Sequence, residues 1–278
     1  MIDVRSDRHR RRPAARLVLE DGTAYDGFGF GAPGEAFGEV CFNTSISGYQ
    51  EIATDPSYHG QIMVMTYPHI GNYGAQAADT EADRPHIAGL VVRSFTEEHS
   101  NASAEEGLDA YMRRHGLVGI TGVDTRALVR HVREAGVMNA VISTETLDVP
   151  ALSAKARAHP SMDGLELASR VTTAHAYDYA SGEGPRIAVY DYGVKANILR
   201  AFGAHGCTVR VFPAATPLGE AMAWEPDGLF LSNGPGDPRA MPDAVATVRG
   251  AFETGMPVFG ICLGTSSWRS RRASRCSR

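Results

Sequence analysis

From Arg186 onward the sequence alternates apolar runs of strand length with helical segments, and this alternation restricts the second half of the chain to a parallel α/β sheet. The runs fall at residues 186–191, 207–212, 228–232 and 256–261. Helical patterns lie between them at residues 195–205, after Thr216-Pro217, and at 242–254, where Val245, Val248 and Phe252 share a face and Gly255 stops the helix. The last run leads directly into Gly260-Ile-Cys-Leu-Gly264.

That pentapeptide has the shape of a nucleophile elbow, in which a strand delivers a reactive side chain onto a tight turn that opens a helix. Glycine is needed on both sides because a β-carbon there would collide with the returning chain. A helix beginning just after Cys262 would favour its thiolate. Taken alone, Gly-x-Cys-x-Gly reads first as a buried core cysteine. The context is Leu229-Phe-Leu-Ser-Asn-Gly-Pro-Gly-Asp-Pro238, one strand–helix unit earlier, where a strand ends in a glycine loop at the carboxyl edge of the sheet. Open α/β sheets bind ligands at that edge.

The first half mixes strands and helices. Residues 17–19 run into the turn Asp21-Gly22 and then glycine-rich hairpin material, and residues 61–67 and 87–92 are further apolar runs. Ser103 and Glu106 have capping-box spacing ahead of Leu108, Tyr111 and Met112, with Gly116 as the stop. A second helix opens near Asp124, buries Ala127, Leu128 and Val132, turns Arg126, Arg130 and Arg133 to water, and ends at Gly136. These signals divide the chain into a basic solvated arm (1–15), a mixed α/β domain (16–150), a linker (151–185), a parallel-sheet domain (186–264) and an Arg/Ser-rich tail (265–278).

A net charge of -5 supplies no basic field for a nucleic-acid backbone, so no nucleic-acid partner is expected. No apolar run approaches the ~20 residues of a membrane-spanning helix, and the arginine-rich start has no signal-peptide core behind it. Cys41, Cys207, Cys262 and Cys276 form no metal-binding spacing, which fits a reduced, cytoplasmic protein without a metal of its own.

The two late motifs together resemble the class I glutamine amidotransferase domain. Phe42-Asn-Thr-Ser-Ile-Ser-Gly-Tyr-Gln-Glu-Ile52, Asp55-Pro-Ser-Tyr58, Tyr67-Pro-His-Ile-Gly-Asn72 and Ile120-Thr-Gly-Val-Asp-Thr-Arg126 resemble the N-terminal domain of carbamoyl-phosphate synthase small subunits, as does Asp191-Tyr-Gly-Val-Lys-Ala-Asn197 at the start of the second domain. The resemblance implies Cys262 as nucleophile, the backbone amides of Gly234 and Leu263 as the oxyanion hole, Gly236 shaping the loop against glutamine, and Ser57 binding glutamine. It further implies a large-subunit partner that uses ATP and magnesium, with no cofactor in this chain, and ammonia delivered for carbamoyl phosphate in arginine and pyrimidine synthesis.

After Gly264 the sequence departs from that family. Thr265 and Ser266 stand where the resemblance calls for His or Asn and then Gln, and no His-x-Glu pair follows. The expectation is a chain truncated after its nucleophile, without a general base and without glutaminase activity, since losing a triad partner removes orders of magnitude in rate. Neither His69, in a loop, nor His131, on a helix surface, is a credible substitute. The remaining readings are a non-catalytic docking module for the large subunit and a frameshifted gene fragment. Cutting the sheet at this strand would also expose Val258, Phe259 and Ile261.

Overall fold

The computed structural model describes residues 12–265, which form two compact units. One comprises residues 12–54 with 60–161, and the other comprises 55–59 with 162–265. The α/β expectation holds in both. Most of the basic arm and all of the tail after Thr265 lie outside the described residues.

The first unit is a closed seven-stranded barrel. Its strands are β1 (Ala14–Leu19), β2 (Ala24–Gly31), β3 (Glu35–Asn43), β4 (Ile62–Met65), β6 (Gly89–Val92), β8 (Val118–Thr121) and β9 (Asn139–Ser143), in the order β1-β2-β8-β6-β4-β3-β9. Strands β3, β4, β6 and β8 run parallel, and the remaining pairings are antiparallel. A two-stranded parallel pair, β5 (His69–Ile70) with β7 (Ser94–Phe95), stands beside the barrel. The Asp21-Gly22 turn closes the first hairpin as its sequence predicts. The Asp21 carboxylate accepts from the Thr23 amide at 2.8 Å, and Gly22 takes a φ of 92°.

Two-residue alternation decides what fills the barrel. Ala15, Leu17 and Leu19 of β1 and Ala140 and Ile142 of β9 enter the interior with Ile62, Val64, Val91, Val118 and Ile120. The intervening Val18 and Val141 point outward, under a helix that residue patterning left inside the linker. This helix is α4 (Val149–Ala158), and it follows α1 (Tyr49–Thr54), α2 (Leu108–Arg114) and α3 (Thr125–Ala135). Asp148 caps α4 by accepting from the Ala151 amide, Pro150 occupies its first turn, and Leu152 and Ala156 are fully buried against Val18 and Val141. Each buried Val or Leu of that contact contributes about 1.5–3 kcal/mol.

Several local expectations need correction. Helix α2 starts at Leu108 behind Gly107 without a side-chain cap, so Ser103 and Glu106 make no capping box; Glu106 pairs with Arg114 instead. Asp124 does cap α3, accepting from the Ala127 amide at 3.0 Å, but Ala127 itself is exposed, and Thr125, Leu128 and Val132 form the buried face. Arg12 is not solvated: its side chain is 10% exposed, lies 4.6 Å over the Phe95 ring and pairs with Glu97. The linker reading of 151–185 gives way to α4 in the first unit and β10 (Tyr177–Ala180) in the second.

The second unit is a five-stranded sheet in the order β10-β12-β11-β13-β14. It consists of β11 (Arg186–Asp191), β12 (Thr208–Pro213), β13 (Gly228–Leu231) and β14 (Val258–Gly260), all parallel, with β10 antiparallel on β12. Between them run α5 (Ala196–Ala204), α6 (Leu218–Ala223) and α7 (Pro242–Glu253). Helix α7 buries Ala244, Thr247, Val248 and Ala251, which turns Phe252 outward, contrary to expectation. Phe259 on β14 is 64% exposed, while Val258 and Ile261 are half-buried. Because β12 and β13 flank β11 on opposite sides, the chain reverses its direction of winding there, and the crevice at the carboxyl ends of β11 and β13 is the place for a ligand.

Asp109 tests the electrostatics of the first unit. Burial pushes its carboxyl up, but the Gly31 amide at 2.8 Å and Arg113 at 2.7 Å outweigh that and hold it below the usual carboxylate range. A depressed acid stabilises the fold above its unfolded pKa, and the contribution is lost as pH falls through the lower folded value. Asp109→Asn is expected to cost about 1 kcal/mol at neutral pH and to flatten the acid limb of the stability curve, measured by urea unfolding between neutrality and pH 3. An unchanged acid limb would contradict this role.

Candidate active site

Three loops meet at the carboxyl edge of the second sheet. After β13 the chain runs through Ser232, Asn233 and Gly234, and after β14 it turns at Cys262. Cys262 is exposed and unpaired, with a φ of 52°, a left-handed conformation that non-glycine residues seldom adopt. Helical residues 263–265 begin immediately after it. This is the predicted elbow geometry, and the exposure of the thiol removes the reading of a core cysteine. Among the described residues the Cys262 thiol has no hydrogen-bonding partner.

The flanking glycines are required by contact. A β-carbon on Gly260 would sit 2.9 Å from the Gly264 carbonyl carbon, and one on Gly264 would sit 2.3 Å from the Leu231 carbonyl oxygen. That closeness lets the Ile261 amide reach Leu231 O at 3.1 Å and the Gly264 amide reach Ser232 O at 3.2 Å. The Thr265 hydroxyl closes the turn by donating to Gly260 O at 2.7 Å. The Leu263 side chain is buried in the core, which leaves its backbone as the part at the turn.

Gly234 lies against the β11 loop so closely that a β-carbon would come within 2.0 Å of Tyr192 O. Gly236, with a φ of 94°, is bridged to Glu166, and the neighbouring Asp237 amide donates to Leu165 O at 3.0 Å. The β11 loop is shaped by Asp191, whose carboxylate accepts from the amides of Thr173, Gly193 and Val194 at 2.7–2.9 Å. Burial nevertheless pushes the Asp191 carboxyl up, against the pull of those three amides.

Ser57 joins this site through Asn233. The Asn233 amide nitrogen donates to Ser57 Oγ at 2.8 Å and to Gly193 O at 2.8 Å. Gly193 O can only accept, so the amide orientation is fixed. Ser57 sits on a 3-10 turn (Pro56–Tyr58) capped by Asp55, which accepts from the Ser57 amide at 2.9 Å and pairs with Lys195 at 3.2 Å. Asn233 is 3% exposed. Asn233, Asp191 and Lys195 lie inside the sequence motifs without a role there; the signal for them is position, Asp191 closing β11, Lys195 preceding α5 and Asn233 two residues beyond β13.

His131 is held by Asp21 at 2.7 Å in the first unit, and His69 is exposed on β5. Among the described residues, no group of three or more His, Cys, Asp or Glu is arranged to hold a metal ion, and no helix is long and apolar enough to cross a membrane.

The fold and site define a thiol-bearing α/β domain, its cysteine on a strand-to-helix elbow facing a glycine loop, carried on one chain with a β-barrel unit. Residues 17–142 match the family model described as carbamoyl-phosphate synthase small chain, CPSase domain, and residues 188–267 match that of glutamine amidotransferase class-I. Among relatives named carbamoyl phosphate synthase small chain, that of Synechococcus sp. is 47% identical over 266 residues, covering 91% of this chain and 68% of the relative. The proteins of Chlorobaculum tepidum (50% identical, 90% and 69% covered) and Yersinia pseudotuberculosis (47% identical, 90% and 68% covered) are similar to the same degree. A solved aminopeptidase from Aneurinibacillus sp. overlaps 79% of this chain and 56% of its own, with 13% identity and a TM-score of 0.28, too low to define a shared fold. The chain belongs to the carbamoyl-phosphate synthase small-chain family.

The elbow makes a direct structural prediction. Gly264→Ala is expected to lose about 1–3 kcal/mol of stability through the forced collision with Leu231 O. Gly219→Ala, on α6 with nothing within 4 Å, should be neutral or gain up to about 1 kcal/mol. Thermal denaturation of the two variants checks the contrast, and equal behaviour would show that the elbow tolerates a β-carbon.

Proposed function

We propose that this chain binds L-glutamine at the carboxyl edge of the second sheet and supplies ammonia to a large partner subunit, which uses ATP and magnesium to make carbamoyl phosphate in the cytoplasm. The observation that supports it most is Cys262, exposed at a φ of 52° between two glycines that the backbone contacts demand. In this reading the Cys262 thiolate attacks the glutamine amide carbon, a C–S bond forms, and the carbonyl oxygen takes the negative charge. The amides of Gly234 and Leu263 stabilise that oxyanion, and Gly236 shapes the loop around the substrate. Collapse breaks the C–N bond; the nitrogen leaves as ammonia after taking up a proton, and water hydrolyses the thioester to glutamate. Ser57, accepting from Asn233, keeps its own hydroxyl proton for the substrate.

In this reading each proton-transfer step needs a general base beside Cys262. Among the described residues no histidine or carboxylate is hydrogen-bonded to the Cys262 thiol, and we assign these 278 residues slow glutamine turnover on their own. The same observation favours a second reading, in which the barrel unit docks the large subunit without catalysis and the complex depends on free ammonia.

Mixing the chain with a large subunit and measuring carbamoyl phosphate from ammonium and from glutamine separates these readings. Expected are co-purification, synthesis from ammonium, and a small glutamine-dependent rate abolished by Cys262→Ser. No co-purification would remove the partner assignment, full glutamine-dependent synthesis would overturn the slow-turnover assignment, and none at all would leave docking alone. Ser57→Ala is expected to weaken glutamine binding about tenfold, the worth of one well-placed hydrogen bond, and Asn233→Ala should add little to it. Calorimetry on the two single variants and the double variant reads that coupling.

A further inference from the structure

Helix α3 carries Arg126, Arg130 and Arg133 at spacings that place them on one stripe. Four other arginines of the first unit find carboxylates among the described residues, including Arg16, which reaches Asp26 at 2.6 Å, and Arg113, which reaches Asp109 at 2.7 Å. His131 of α3 likewise pairs with Asp21. The three stripe arginines make no ion pair or hydrogen bond among the described residues. They line a groove of about 610 Å³ together with Thr44, Thr66, Thr125 and Val129, and Glu134 is its one acidic group among the described residues.

The groove has a definite place in the barrel. Thr44 and Thr66 follow directly on the carboxyl ends of the parallel strands β3 and β4, and the Thr66 amide holds Asn43 O at 3.0 Å. Thr125 opens α3 itself. Two segments singled out by the sequence, residues 42–52 and 120–126, therefore contribute lining residues that the glutamine site does not use. Guanidinium groups and hydroxyls are donors suited to phosphoryl oxygens. The concavity is of the size that holds small molecules. The seven helical steps from Arg126 to Arg133 extend about 10 Å, a length suited to two or three linked phosphoryl groups rather than to one.

We propose that this groove of the first unit is a binding site for a small polyphosphorylated anion, held by Arg126, Arg130 and Arg133 against the hydroxyls of Thr44 and Thr66. The site is separate from glutamine chemistry at Cys262, and neither assignment rests on the other.

Inorganic tripolyphosphate, orthophosphate and citrate, titrated calorimetrically into the full chain at fixed ionic strength, test it. Saturable binding of tripolyphosphate is expected, tighter than that of orthophosphate or citrate. Arg130→Ala should weaken it at least about tenfold, and the triple Arg126→Ala, Arg130→Ala, Arg133→Ala variant should abolish the saturable component. Arg249→Ala, on an exposed position of α7, should leave it intact. The arginine-rich ends are common to all these proteins, so the difference between wild type and the triple variant is the measure, with circular dichroism confirming that both are folded. Equal binding by wild type and triple variant overturns the proposal, as does citrate binding as tightly as tripolyphosphate. Displacement of tripolyphosphate by the large subunit, with loss of subunit association in the triple variant, would assign the groove to a protein partner instead and also overturn it.

Discussion

The hydrogen bond from the Gly264 amide to the Ser232 carbonyl ties the turn at Cys262 to the glycine loop, and the geometry of this edge of the second unit depends on that tie. It forms only if the chain after Cys262 passes within contact distance of the end of β13, which excludes a side chain at Gly264. The same closeness forces Cys262 into a left-handed backbone conformation. Such strain costs on the order of 1–3 kcal/mol and persists because the neighbouring bonds over-determine the turn. Ile261 held to Leu231 and Thr265 held to Gly260 supply those bonds on either side. The exposed thiol is thus a consequence of how β14 pairs with β13.

The parallel register of β11, β13 and β14 turns that local geometry into a site. Strands that point the same way release their following loops at one edge, so the loops after Asp191, Leu231 and Gly260 converge without any long excursion of chain. Gly234 fits against Tyr192 O for the same reason that Gly264 fits against Leu231 O: two backbones approach more closely than a β-carbon permits. The barrel of the first unit works on the opposite principle. There the two-residue period sends Leu17 inward and Val18 outward, and α4 is needed to cover the outward set.

How much of this the sequence discloses follows from which interactions are local. The elbow, the hairpin turn at Asp21-Gly22 and the cap at Asp124 are specified by residues adjacent in the chain, and each is legible there. Helix α4 was not, because its apolar face is little more than Leu152 and Ala156, and only their packing on Val141 of the preceding strand and on Val18, far away in sequence, shows that the segment is buried rather than a tether. Yet Asp148 with Pro150 was a readable helix start. The capping box at Ser103 failed for the converse reason: a correct local spacing gave way to the Glu106–Arg114 pair and a helix start at Gly107. Asn233 was hidden because its importance lies in Ser57 and Gly193, contacts that no spacing encodes.

The bonds of the site also say what kind of group it receives. Asp191 is occupied by three backbone amides, and Asp55 by the Ser57 amide and Lys195, so both carboxylates are engaged within their own loops. Asn233 directs its amide nitrogen to Ser57 Oγ, which makes that oxygen an acceptor toward the protein and leaves its proton for something else. Gly234, at a glycine-only approach to Tyr192, adds a backbone N–H at the same edge. What remains to be offered is mainly donors, next to the Cys262 thiol. A ligand that presents acceptors is complementary to that arrangement, and the proposed glutamine is one, with its amide carbonyl and its carboxylate.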